Sequence, residues 1–266
     1  MKRGLSAFVA VGLMLLPLSS SAGLSTSPGT SAAAFLDLGF GARAVAVAEA
    51  FVSAADDVTA AHYNPAGFAY PAFAVEKSQK DRPYEVLVGQ SLLVQDISMT
   101  QFALARRPFA FSLTRLSLDG IEARATETAS PDGQLNAADL SLGISAAGKF
   151  AGIGVGATVK FLHENIGSNS ASAVAADVGL LRRFEGTPVS IGACLANVGS
   201  KMRYADQAAP LPTVLRTGIS YGLTDSFPHM LSLEVDVPRD DGAIVRVGVE
   251  YAGFGPLALR DRKSVV

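Results

Sequence analysis

From about Tyr84 onward the chain repeats a pattern that few folds can use: apolar residues alternate with small, polar or charged ones. Ile153, Val155, Ala157, Val159 and Phe161 interleave with Gly154, Gly156, Thr158 and Lys160. Leu140, Leu142 and Ile144 interleave with Ser141, Gly143 and Ser145. Leu231, Leu233, Val235 and Val237 interleave with Ser232, Glu234 and Asp236. Successive side chains of a strand point to opposite faces, so this period places one apolar row and one small or wet row on each segment. The spacing predicts strands over about 84–93, 96–106, 109–124, 137–147, 150–165, 171–184, 188–200, 212–222, 229–238 and 243–253. An eleventh begins near Pro256. In the third, the apolar row moves from Phe109, Phe111 and Leu113 to Leu116 and Leu118, which predicts a bulge near Arg115.

Composition fits strands better than membrane helices. Mean hydropathy is +0.31 although 17% of residues are charged. After the first twenty residues, no stretch supplies the ~20 apolar residues that a spanning helix needs. The apolar content is spread as lipid-facing strands would spread it. A net charge of −2 leaves no basic footprint for nucleic acid. The connections mostly alternate short and long: Arg107-Pro108, Gly148-Lys149 and Glu185–Thr187 against Ala125–Asn136, Asn165–Ser170 and Lys201–Leu211. An outer-membrane barrel sorts its loops this way. The alternation alone leaves open a soluble secreted protein in which two sheets cover each other's apolar faces.

Met1–Ala22 reads as a signal peptide: Lys2 and Arg3, an apolar run Leu5–Leu18, then small residues Ser20-Ser21-Ala22. Residues 35–60 carry apolar side chains at helical spacing (Val45, Ala48, Phe51, Val52), which predicts one or two short helices. Asn64-Pro65-Ala66-Gly67 ends them, either as a fixed turn or as a hinge. Gly152–Ala157 imitates a dinucleotide-binding glycine run, but the alternation continues through it, so it is a strand. His62, His163 and His229 lack metal-ligand spacing and are expected at the surface or rim. Cys194, the one cysteine, falls on an inward row as a small packing residue. Asp56-Asp57 are paired acids or an acidic helix cap. On the inward rows lie Lys160, Asp177, Arg216, Glu234, Asp236, Arg246 and Glu250. Of these, Arg216, Glu234 and Arg246 stand on three consecutive strands, where cross-strand pairing is expected.

Several segments together resemble the PorV/PorQ family, which is related to the FadL-type fatty-acid transporters. They are Gly29–Leu36, Gly41–Ala46, Ala50–Val52, Asp56–Ala61 and Tyr63–Gly67, then Ala138–Gly143, Ala175–Leu180, Ala196–Gly199, Leu211-Pro212 with Leu215-Arg216, and Pro238–Asp241. The resemblance runs from about residue 29 to 260. It implies an all-β fold: a transmembrane antiparallel barrel, FadL-like, of 14 strands in the full family, with a short, partly helical N-terminal plug. It divides the chain into a signal peptide (1–22), a plug (23–70) and an incomplete outer-membrane barrel (71–260). Arg43, Asp56, Asp57, Asn64, Pro65 and Gly67 become candidate plug and hinge residues. The expected location is the outer membrane of a Gram-negative-type bacterium, with membrane lipid as a partner. The implied role is accessory to type IX secretion, in contact with its components and with cargo sorting domains. The alternative is a channel for fatty acids or other hydrophobic molecules. No enzymatic activity, cofactor or nucleic-acid partner is expected. The family usually has Trp before its Asn-Pro-Ala-Gly run, whereas His62-Tyr63 stands there and the chain has no Trp. Asp261–Val266 match what a common sequencing adapter encodes in one frame, so this tail is expected to be foreign to the protein.

Overall fold

The computed structural model describes residues 29–70, 84–124, 130–204, 207–222, 229–254 and 257–265. The signal-peptide segment lies outside them. The chain is mainly antiparallel sheet. Its strands are β1 (Glu85–Leu92), β2 (Ser98–Arg106), β3 (Phe109–Ala123), β4 (Gly133–Phe150), β5 (Ile153–Ile166), β6 (Asn169–Arg183) and β7 (Val189–Gly199). A small separate hairpin follows, β8 (Met202–Tyr204) with β9 (Gln207–Ala209). Then come β10 (Val214–Tyr221), β11 (His229–Pro238), β12 (Ile244–Phe254) and β13 (Leu257–Val265). Eleven of these form one sheet in chain order, β7 pairing directly with β10, and β1 and β13 are its two ends. Among the described residues, no helix is long and apolar enough to cross a membrane.

The alternation produces an inverted distribution of side chains. On β5, Gly154, Gly156, Thr158, Lys160, Leu162 and Glu164 are buried, while Val155, Val159 and Phe161 are exposed. β6, β10 and β11 repeat this, exposing Val174, Val178, Leu180, Leu215, Ile219, Leu231 and Leu233. The buried rows face the N-terminal segment, residues 29–70. The sheet curls around that segment, which touches β2 through Gln101, β5 through Gly156, β7 through Gly192 and β12 through Gly248. The N-terminal segment carries two short helices, α1 (Ala42–Ala46) and α2 (Ala60–Tyr63), and 3-10 turns at Ala34–Asp37 and Pro65–Ala69.

Inward glycines are what let a backbone lie against the wall. A Cβ added at Gly156 would collide with the Pro65–Ala66 backbone, one at Gly192 with Val52 and one at Gly248 with Val47. Residues 23–70 were expected as the plug; the described part, from Gly29, packs against the buried rows of the sheet.

Several expectations need correction. The apolar spacing over Val47–Val52 does not continue as helix. α1 stops at Ala46, and positive φ at Ala48 and Glu49 turns the chain toward the wall. No bulge lies at Arg115, because the β2–β3 and β3–β4 registers run through it unbroken. Leu116 stays on the inward row and packs against the plug cluster around Phe35 and Leu36. The register instead shifts between Leu118 and Ile121, beside Gly120 with φ +73°. The connection expected over Asn165–Ser170 is only Gly167-Ser168, since β5 and β6 run further than their apolar rows do. The segment read as a long connection, Lys201–Leu211, contains the β8–β9 hairpin. Pairing also continues through the tail, Asp261 lying opposite Val249 and Val265 opposite Val245.

Two sequence motifs turn out to be one device. The register of β6 on β7 shifts between Ala176 and Val178, opposite Asn197 with φ +59°. Asp177 accepts the Asn197 backbone N–H at 2.8 Å, and the Asn197 amide donates to the Pro212 carbonyl at 3.1 Å. Ala-Asp-Val-Gly and Ala-Asn-Val-Gly are the two halves of this bulge.

Gly156→Val should cost about 1–3 kcal/mol or more, because the crowded partner is backbone rather than a yielding side chain. Gly148→Ala, where a Cβ meets nothing, should stay within about ±0.5 kcal/mol. Urea-unfolding midpoints of the refolded variants check the contrast.

Candidate functional site

The inward rows and the N-terminal segment pack together in one polar interior. All seven inward charges expected from the sequence lie there. Six are buried, and Arg246 is partly so. Lys160 Nζ pairs with Asp177 at 2.7 Å and donates to Asn197 Oδ1 at 2.8 Å. Arg246 Nε bonds Asp236 at 2.8 Å and its Nη1 donates to the Ala48 carbonyl at 3.1 Å. Glu234 accepts the Val52 N–H at 2.7 Å. Arg216 donates to the His62 carbonyl at 3.2 Å and lies over the Tyr63 ring at 5.8 Å. The expected cross-strand pairing is therefore diagonal. Arg246 stands opposite Glu234 in register yet pairs with Asp236, because the Glu234 carboxylate is taken by the plug backbone.

Arg43 is the centre of the plug's own charges. Its Nε bonds Glu250 at 3.0 Å, and its Nη1 meets Asp57 at 3.0 Å and also Asp56. Arg260 shares Glu250 at 2.6 Å. The pair Asp56-Asp57 thus divides its work: Asp56 is buried on Arg43, and Asp57 also accepts the Thr59 N–H at 2.8 Å just before α2. That second bond is an Asx turn leading into the helix and not the cap that was expected, since Thr59 is the N-cap of α2 and no side chain caps it.

Asn64 is fully buried. Its amide donates to Val52 O at 2.7 Å and to Leu180 O at 3.0 Å, and its carbonyl oxygen accepts the Ala66 N–H at 3.1 Å. Pro65 starts the 3-10 turn, where a missing N–H is harmless. Gly67 packs so closely on the Ala55 carbonyl that a side chain there would clash. Asn64 and Gly67 thus bind the turn to its own segment at Val52 and Ala55, and Asn64 also binds it to β6 at Leu180.

Some of the ties could not be read from the alternation. Arg107 sits at a turn, so no row assigns it a face. It donates to Gly67 O and Tyr70 O at 2.7 Å each and to Asp56 O at 2.6 Å, and pairs with Glu85 at 2.9 Å. Gln101 binds both sides of Gly39–Gly41, at 2.8 and 3.1 Å. Tyr70 OH donates to Leu181 O at 2.9 Å. Gln101 shares the inward row of β2 with Met99, Ala103 and Ala105, so its row was legible while its partner was not.

His62 is not the surface histidine that its isolation suggested. It stacks on Phe40 with centroids 5.5 Å apart. Burial, with the Arg216 and Lys160 cations, holds it well below the usual imidazole range, so it is neutral. Cys194 packs with Val52, Ala196 and Val214 as expected.

The cavities follow the same logic. A pocket between Phe40, His62, Ser141 and Lys160 holds only about 10 Å³, less than a water molecule requires. A larger one, about 690 Å³, lies at the edge of the sheet between β1 and α1, reaching Arg260. No protein-family model matches the chain, and no curated protein does.

Arg43→Ala should destabilise the protein by about 3–5 kcal/mol, because Glu250 and Asp56 would be left buried without their main cation. The check is a lowered unfolding midpoint together with faster protease cleavage within residues 43–62.

Proposed function

We propose that the chain is an outer-membrane β-barrel protein of the PorV/PorQ type, a non-enzymatic accessory to type IX secretion whose lumen is filled by its own N-terminal segment. The observation that carries the reading is the inversion of the sheet. Val88 is 76% exposed, Ile144 67% and Val159 58%, whereas Thr158, Glu234 and Glu250 are buried. Water penalises such an exterior by about 25 cal/mol per Å² of apolar area, and a hydrocarbon exterior removes the penalty. Exposed Tyr84, Phe109 and Phe150 near the short-turn end suit an aromatic girdle built without Trp. Closure of the ring across β1 and β13 belongs to the same reading, since lipid tolerates no unpaired sheet edge.

The accessory role is favoured over a pore by how the plug is held. Arg107, Arg216 and Arg246 of the wall all donate to its carbonyls, and Asn64 ties its own segment's Val52 carbonyl to that of Leu180 on β6. A plug held at so many points suits a rigid scaffold that presents its outer surface to partners. One observation favours the second reading, uptake of a hydrophobic molecule: the cavity of about 690 Å³ beside Leu87, Val88, Ala42 and Val45.

Disrupting the complete gene separates the two. Cargo bearing a C-terminal sorting domain should then stay unexported and unprocessed. Normal export with lost growth on long-chain fatty acid would support uptake instead. If neither changes, both roles are wrong. The membrane assignment has its own test in Val159→Arg, in the middle of the apolar rows, which should cost about 2–4 kcal/mol near the bilayer midplane and abolish the compact, heat-modifiable form in membranes.

A further inference from the structure

The outward rows of β3, β4 and β5 change character together. Paired across the three strands, Phe111, Ile144 and Val159 form one apolar row, and Leu113, Leu142 and Phe161 the next. One step further stand Arg115, Leu140 and His163, then Ser117, Ala138 and Asn165. Beyond them the hairpins continue as strand, and a shallow concavity of about 550 Å³ opens where the β3 register shifts.

Arg115, Asp119, Gln134, Asn136, Asn165 and Ser168 line this concavity, and all are exposed. Asn136 spends its side-chain oxygen on the Gly120 N–H at 3.1 Å, which holds the bulge open. The other five have no side-chain partner among the described residues. Ala138, on the same outward row as Asn165, supplies an apolar patch in the same concavity. Amides, a hydroxyl, a carboxylate and a guanidinium around an apolar patch match a sugar ring, whose hydroxyls both donate and accept and whose C–H face is apolar.

Position selects the source of that sugar. The concavity lies on the lipid-facing side of the wall, one or two rows beyond the last apolar row, at the end opposite the short turns Arg107-Pro108 and Ala151-Gly152. In an outer membrane, that level is occupied by the headgroups of the outer leaflet. We propose that this concavity binds the sugar headgroup of an outer-leaflet glycolipid. The proposal rests on the membrane reading above.

The test uses the full-length protein in nanodiscs, titrated with rough-type lipopolysaccharide and, separately, with phosphatidylethanolamine and phosphatidylglycerol. The double variant Arg115→Ala with Asn165→Ala touches neither plug nor inward row. It should bind lipopolysaccharide about thirty-fold more weakly or worse, the combined loss expected for one charged and one neutral hydrogen-bonding side chain, and bind the phospholipids as before. Unchanged lipopolysaccharide affinity in the variant overturns the proposal. So does equal affinity of the unaltered protein for glycolipid and phospholipid. Vesicle flotation, done before any titration, reads the membrane assignment by itself. A protein that floats but shows no preference sinks only the headgroup site, while one that never floats sinks the parent reading and this site with it.

Discussion

A buried stretch of chain with almost no regular structure must find outside partners for its carbonyls and amides, and this requirement organises the whole molecule. The longest helix in residues 29–70 has five residues, too few to satisfy its own backbone. The wall supplies what is missing. Guanidinium groups from β10 and β12 reach carbonyls, Arg107 does so three times from its turn, and Glu234 takes an amide. The glycines of the inward rows serve the same end, since a hydrogen bond to backbone needs the backbone to come near. The inward charges and the inward glycines thus have one cause.

The same cause explains why the acids of the interior are spaced as they are. A guanidinium with five donors can serve a carboxylate and a carbonyl at once, as Arg246 does with Asp236 and Ala48. Arg107 and Arg246 are therefore each compensated twice, by a carboxylate from a strand and by carbonyl dipoles of the N-terminal segment. A point charge would serve less well. The one interior lysine among these groups, Lys160, is used where a single carboxylate and a single amide oxygen meet it.

How far the sequence revealed this depends on the kind of contact. Strand positions and facing followed from a period of two, and all eleven strands of the sheet lie where the alternation placed them, usually within four residues. Arg115 and Leu116 show the limit. An apolar residue on an inward row looks like a change of phase, unless one knows that the lumen there is filled by Phe35 and Leu36. Likewise the inward charges were identifiable by row, but their partners were not, because most belong to a segment more than a hundred residues earlier. Arg107 and the β8–β9 hairpin were hidden for a simpler reason: turns carry no period. The helices of the N-terminal segment were overestimated because alanine and valine at helical spacing also suit a chain packed on all sides by wall.

The bond between Arg43 and Glu250 joins residues 207 positions apart. The segment around Arg43 is therefore secured by a strand synthesised 207 residues later. Until that strand arrives, a guanidinium destined for a dry interior has to wait in water. Such long-range closure makes for slow maturation, and a partly wound intermediate with open hydrogen-bonding edges is the form most in need of an escort.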